Sequence, residues 1–228
     1  LTSAVDPEQA LFTYVDARAQ ALASREYEPP PQILPAALAA LTYEQYRAIQ
    51  FRQEMSLWQD EHRFTVQVLH PGFLYTEPVE IHLVQGTDVE RLPFMQARYR
   101  YVGPAAPVAD QITGDIGHAG FRVYYPRGGP DNREEVAVFL GASYFRLVGD
   151  HQVHGLSARG LAVDAGLDSG EEFPAFRTFW LIQPDPEATQ LTFFALLDSP
   201  SVTGAYRFEL DPARHTTLTV DAHLYARH

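Results

Sequence analysis

The spacing of apolar residues changes once along this chain, at Phe64, and that change constrains the fold class more than any composition value. From there Phe64, Val66 and Val68 alternate with Thr65, Gln67 and Leu69. After the turn His70-Pro71-Gly72, Val79, Ile81 and Leu83 alternate with Glu80 and His82. Similar runs recur over 97–102, 121–125, 135–148, 176–182, 191–197, 204–210 and 215–225. Turn chemistry fills the gaps, as in Arg127-Gly128-Gly129-Pro130-Asp131-Asn132 and Asp198-Ser199-Pro200. No helical pattern separates successive runs, which predicts a mainly β chain built as an antiparallel meander, folded into a sandwich. Before Phe64 the spacing is helical. Asp6-Pro7-Glu8 opens a helix in which Leu11, Val15, Ala19 and Leu22 recur, to about residue 24. Tyr27-Glu28-Pro29-Pro30-Pro31 then forms a stiff connector. A second helical region is expected over 41–51, where Thr42 and Gln45 have capping-box spacing. With 228 residues and no composition break, the chain reads as a single domain over 1–228.

Residue types that are missing narrow the chemistry. The chain has no Cys, which removes disulfide frameworks, thiolate metal sites and cysteine nucleophiles. All 17 basic residues are Arg, so lysine Schiff bases and a Walker lysine are excluded. The net charge of −12 comes without any basic stripe, which excludes nucleic acid and anionic membranes as partners. No apolar run is long enough to span a membrane, so no membrane insertion is expected. The chain starts at Leu1 without a charged segment followed by an apolar core, so no signal peptide is expected within it. An acidic protein rich in aromatic residues suits a neutral ligand, and no cofactor is expected.

His151 and His154 could offer two metal ligands, but no third ligand stands at a recognisable spacing, so no metal site is expected. Ser157 lacks a nucleophile elbow. Glu171 and Glu172 are adjacent and on extended backbone point to opposite faces, so at most one of them lines a cleft. Asp164, Asp168 and Asp198 read as turn or solvated residues. Aromatic residues and arginines interleave between 144 and 180, and sugars are bound by aromatic faces together with planar polar groups. Tyr144, Phe173 and Trp180 are therefore candidates to stack on a sugar, with Arg159 and Glu171 pairing to its hydroxyls, whereas Phe176 and Phe179 read as core.

Four blocks in this region carry a resemblance. They are Leu140-Gly-Ala-Ser-Tyr-Phe-Arg146, Gly155-Leu-Ser-Ala-Arg-Gly-Leu-Ala-Val-Asp164, Ser169-Gly-Glu-Glu-Phe-Pro174 with Phe179-Trp180, and Ala195-Leu-Leu-Asp-Ser-Pro200 with Thr203-Gly-Ala-Tyr-Arg-Phe208. Together with Tyr27-Glu28-Pro29-Pro30 and Leu41-Thr-Tyr-Glu-Gln-Tyr-Arg-Ala-Ile-Gln-Phe51, they resemble the periplasmic glucans biosynthesis protein G and D family over nearly the whole chain. The resemblance implies a periplasmic location with the signal peptide removed and a galactose mutarotase-like β-sandwich. It also implies a role in making osmoregulated glucans with a β-1,2-linked backbone, and membrane-bound synthesis machinery as a partner. Members are understood to hydrolyse β-1,2-glucan with inversion, which needs two carboxyl groups roughly 6.5–9.5 Å apart. Family members are longer than this chain. The resemblance places their catalytic aspartates and an immunoglobulin-like domain beyond His228, so it assigns no catalytic residue here. A non-catalytic scaffold that presents nascent glucan is the alternative reading.

Overall fold

A computed structural model describes residues 6–60, 62–129, 132–153 and 155–227. Helix α1 (Pro7–Ala23) starts where expected. Asp6 accepts a hydrogen bond from the Glu8 N–H at 3.1 Å, and Pro7 occupies the first turn. Its buried residues Leu11, Phe12, Val15, Ala19 and Ala23 form one stripe. The proline connector carries no regular element up to α2 (Ala36–Ala39). The second helical region is shorter than its spacing predicts. Thr42 and Gln45 do form the capping box, but α3 (Tyr43–Arg47) stops after five residues. The backbone from Ile49 to Phe51 instead becomes strand β1 (Ile49–Phe51), paired antiparallel with Tyr99–Tyr101. A tertiary partner has overridden local helix propensity there.

The remaining strands in chain order are β2 (Thr65–Leu69), β3 (Glu80–Gln85), β4 (Asp88–Arg91), β5 (Tyr99–Tyr101), β6 (Gly120–Pro126), β7 (Arg133–Leu140) and β8 (Tyr144–Leu147). They continue with β9 (Ala158–Arg159), β10 (Ala175–Ile182), β11 (Leu191–Asp198), β12 (Val202–Asp211) and β13 (Thr217–Ala226). The run expected over 135–148 is thus a hairpin, β7 and β8, which turns at Gly141, Ala142 and Ser143. The turn expected from Arg127 to Asn132 is closed by the Arg127 N–H donating to the Asn132 carbonyl at 2.8 Å, with Pro130 and Asp131 outside the described residues.

The sheets make a sandwich of six strands in the order β13-β12-β11-β10-β3-β4 over five in the order β2-β6-β7-β8-β9. The arrangement is not the plain meander expected, because β10 pairs parallel with β3 while pairing antiparallel with β11. Phenylalanines fill the space between the sheets. Phe121 and Phe139 from the five-stranded sheet stack at 5.4 Å, and Phe139 meets Phe193 of the six-stranded sheet edge-on at 4.8 Å. Each such ring contributes roughly 1.5–3 kcal/mol by burial. The outer face of the six-stranded sheet is covered by α1, whose Leu11, Phe12, Val15 and Ala19 pack on Val84, Trp180, Phe194, Leu196 and Ala205. Strands β10 and β11 are therefore buried on both faces, which explains their nearly continuous apolar runs.

Candidate functional site

On the five-stranded sheet, register pairs Leu69 with Gly120, Gly120 with Leu140 and Tyr144 with Arg159, all on the face away from the phenylalanine core. The residues beside Arg159 anchor it. The Gly160 N–H donates to the Ser143 carbonyl at 2.8 Å, and the Tyr206 hydroxyl donates to the Gly160 carbonyl at 3.0 Å. Burial raises that hydroxyl to about 12, so it stays a donor throughout the physiological range. A Cβ at residue 160 would lie 2.6 Å from the Phe176 ring, so only glycine fits there. Phe173 stands just ahead of β10, held where the Phe176 N–H donates to the Gly141 carbonyl at 2.7 Å.

Four of the five sugar-contact candidates meet here. The Arg159 guanidinium lies 5.2 Å from the Tyr144 ring centre and 5.2 Å from that of Phe173, and it donates a hydrogen bond to Glu171. Arg159 and Glu171 are half-buried, whereas Phe173 is 59% exposed. The Arg159 Nε–H is buried and finds no acceptor among the described residues. The group presents an open aromatic face beside a charge pair that sums to zero.

Glu172 turns away from its neighbour, as expected for extended backbone. It accepts hydrogen bonds from the hydroxyls of Ser199 and Ser201 and from the Ser201 N–H. Burial pushes the Glu172 carboxyl up, but these bonds and the Arg227 charge bring it below its ordinary value. Asp198 is buried against Arg227, and burial holds its carboxyl above the ordinary value despite that guanidinium. Asp198 is thus a core ion-pair partner rather than the turn residue expected. Asp164, Asp168 and Ser157 are exposed, His151 is exposed beside Asp150, and His154 lies outside the described residues.

Trp180 stands apart from the group. It is 2% exposed on the opposite face of β10, under α1, stacked on His82 at 5.6 Å.

The site extends through residues that sequence reasoning missed. Phe173 lines a 210 Å³ cavity with Leu74, Tyr75 and Gly141, and the Tyr75 ring lies 5.6 Å from that of Tyr46. Tyr46 in turn lines a 410 Å³ cavity with Arg47, Gln67, His70 and Arg122. Gln67 and Arg122 are paired across β2 and β6, on the same outward face as Tyr144. The signal available was the polar half of the period-two pattern, which marks the face not used for the core.

The family model described as "Periplasmic glucan biosynthesis protein, MdoG" matches residues 11–228. The Glucans biosynthesis protein G of Ralstonia nicotianae is 44% identical over 214 residues, which is 93% of this chain and 42% of that relative. Two proteins of the same name from Rhodopseudomonas palustris strains are 45% and 46% identical, each over 92% of this chain and 41% of the relative. The chain spans less than half the length of these relatives. With a family match over all but its first ten residues, this chain belongs to the periplasmic glucan biosynthesis protein family.

Proposed function

We propose that this chain acts in the periplasm in the synthesis of osmoregulated glucans, where it binds the β-1,2-linked glucose backbone along the outward face of its five-stranded sheet. The observation that supports this most is the Arg159 group: a guanidinium between two rings, neutralised by Glu171, beside an exposed Phe173. A glucan backbone is uncharged, with C–H faces that stack on rings and hydroxyls that pair with guanidinium and carboxylate groups. A charge-neutral aromatic platform suits it. The Tyr75 and Tyr46 rings, 5.6 Å apart and each lining a cavity, add aromatic surface beyond Phe173.

Inverting hydrolysis needs one carboxyl to protonate the leaving oxygen and another to activate water. In this region Glu171 is held by Arg159, Glu172 by Ser199 and Ser201, and Asp198 by Arg227. The role proposed for this region is therefore binding of the backbone, which membrane-bound synthesis enzymes extend. Titration calorimetry with linear β-1,2-glucan tests it. Phe173→Ala should weaken binding about tenfold, the loss of one stacking face. Unchanged affinity in Phe173→Ala and Tyr144→Ala alike would overturn the reading.

A further inference from the structure

On the far side of the six-stranded sheet, between α1 and strands β3 and β4, lies a 610 Å³ cavity. Its lining is mainly apolar, with Leu11, Val84, Val89 and Trp180, and its polar groups include Arg18, Arg91 and His82. Arg91 is committed to Asp115 and lies 3.7 Å from Glu80, and His82 stands 3.6 Å from the same Glu80. Arg18 has no such commitment. Its guanidinium lies 5.8 Å from the ring centres of both Tyr14 and Trp180, and no carboxylate is within ion-pair distance among the described residues. The half-buried Arg159, Arg177 and Arg207 and the buried side chain of Arg227 each hold an acidic partner, and Arg127 and Arg133 donate to backbone carbonyls. Arg98 and Arg146 also lack a carboxylate among the described residues, but neither lines a cavity described above. In a chain of net charge −12, a half-buried arginine at a cavity mouth without a carboxylate is a charge left for a ligand.

We propose that this cavity is a second binding site, separate from the glucan face, for a small amphipathic carboxylate. Its apolar part lies against Leu11, Val84, Val89 and the edge of Trp180, and its anionic head accepts hydrogen bonds from Arg18. The planar guanidinium, already oriented by two rings, matches a carboxylate in two-point geometry and loses little freedom on binding. Cavities of this size and lining are typical for small ligands.

The test is titration calorimetry of the full chain with octanoate and, in parallel, with octanol as the neutral counterpart. Octanoate should bind once per chain. Arg18→Gln should weaken octanoate at least tenfold and leave octanol unchanged, because only the charged head uses the guanidinium. Val89→Trp, placed on an exposed edge strand where it should not disturb folding, should block both ligands by filling the cavity. Linear β-1,2-glucan should not compete. The proposal is overturned if octanoate fails to bind, if it binds Arg18→Gln as tightly as the parent chain, if Val89→Trp leaves it unaffected, or if glucan displaces it. Phe173→Ala should leave octanoate affinity unchanged, so a failure of the glucan reading and a failure of this one give different results.

Discussion

Two guanidinium groups in this molecule lie over pairs of aromatic rings, Arg159 over Tyr144 and Phe173, and Arg18 over Tyr14 and Trp180. Arg159 is neutralised by Glu171 and its ring partner Phe173 is open to solvent. Arg18 has no carboxylate partner among the described residues, and of its two ring partners Trp180 is buried under α1 while Tyr14 is exposed. Similar local chemistry thus has two different uses. Where the ring is exposed and the charge cancelled, the surface can receive an uncharged chain of sugars. Where one ring is core and the charge remains, the rings chiefly orient the guanidinium, and the site favours an anion.

The two regions should differ most in what their rings contribute to stability. Trp180→Ala should cost about 3–5 kcal/mol, the usual range for deleting a buried aromatic side chain. Phe173→Ala should cost less than about 1 kcal/mol, since its ring is largely exposed already. Urea unfolding of the two variants checks this. Equal losses would mean that the exposed ring is as structural as the buried one.

Acid leaves both guanidinium groups in place as cations, because arginine stays charged throughout the acid range. Acid sensitivity should come in smaller part from His82 at the Arg18 cavity, whose imidazole burial holds below its ordinary value, and chiefly from His70 and His118, which are 4% and 1% exposed. Burial lowers both to about 4 from the ordinary 6.5, although the Pro71 carbonyl bonded to His70 and the Leu92 carbonyl bonded to His118 each favour the proton. A histidine whose pKa is lowered by folding holds fewer protons in the folded chain. Its stability contribution is present above pH 6.5 and is lost as pH falls from 6.5 towards 4. Each should contribute about 3 kcal/mol to that loss, at 1.36 kcal/mol per unit. Thermal melts from pH 7 to pH 4 should show it, and His70→Gln should flatten the slope. A flat profile in the parent chain would show that both imidazoles reach solvent.

Much of this architecture is legible in the amino-acid sequence. The period-two pattern marks the strands because one face of each is core. The gathering of Tyr144, Arg159, Glu171 and Phe173 follows from their placement within one short stretch of alternating rings and charges. The parallel pairing of β3 with β10 is not legible, since strand order is set by contacts between residues distant in sequence. Strand β4 escapes a sequence reading because all four of its residues are exposed, and an edge strand with no buried face has no period to read. Trp180 is ambiguous because β10 is apolar on both faces, and its cover, α1, lies far away in sequence. The orphaned charge of Arg18 is invisible for the same reason. A sequence shows an arginine but not whether a carboxylate reaches it.

A single charge exchange makes the two regions chemically alike. Glu171→Gln keeps the shape of the side chain but removes the negative charge that cancels Arg159. The pair is about three-quarters buried, so the stability loss should be about 1 kcal/mol. Functionally the Arg159 group would then resemble the Arg18 site, a ring-flanked cation without a carboxylate. Glucan affinity should fall only a few-fold, because both rings and the guanidinium remain. Octanoate should gain a second binding event per chain that the parent lacks. Calorimetry with octanoate on this variant reads the stoichiometry directly. A single event, unchanged from the parent, would mean that charge cancellation does not distinguish the two sites.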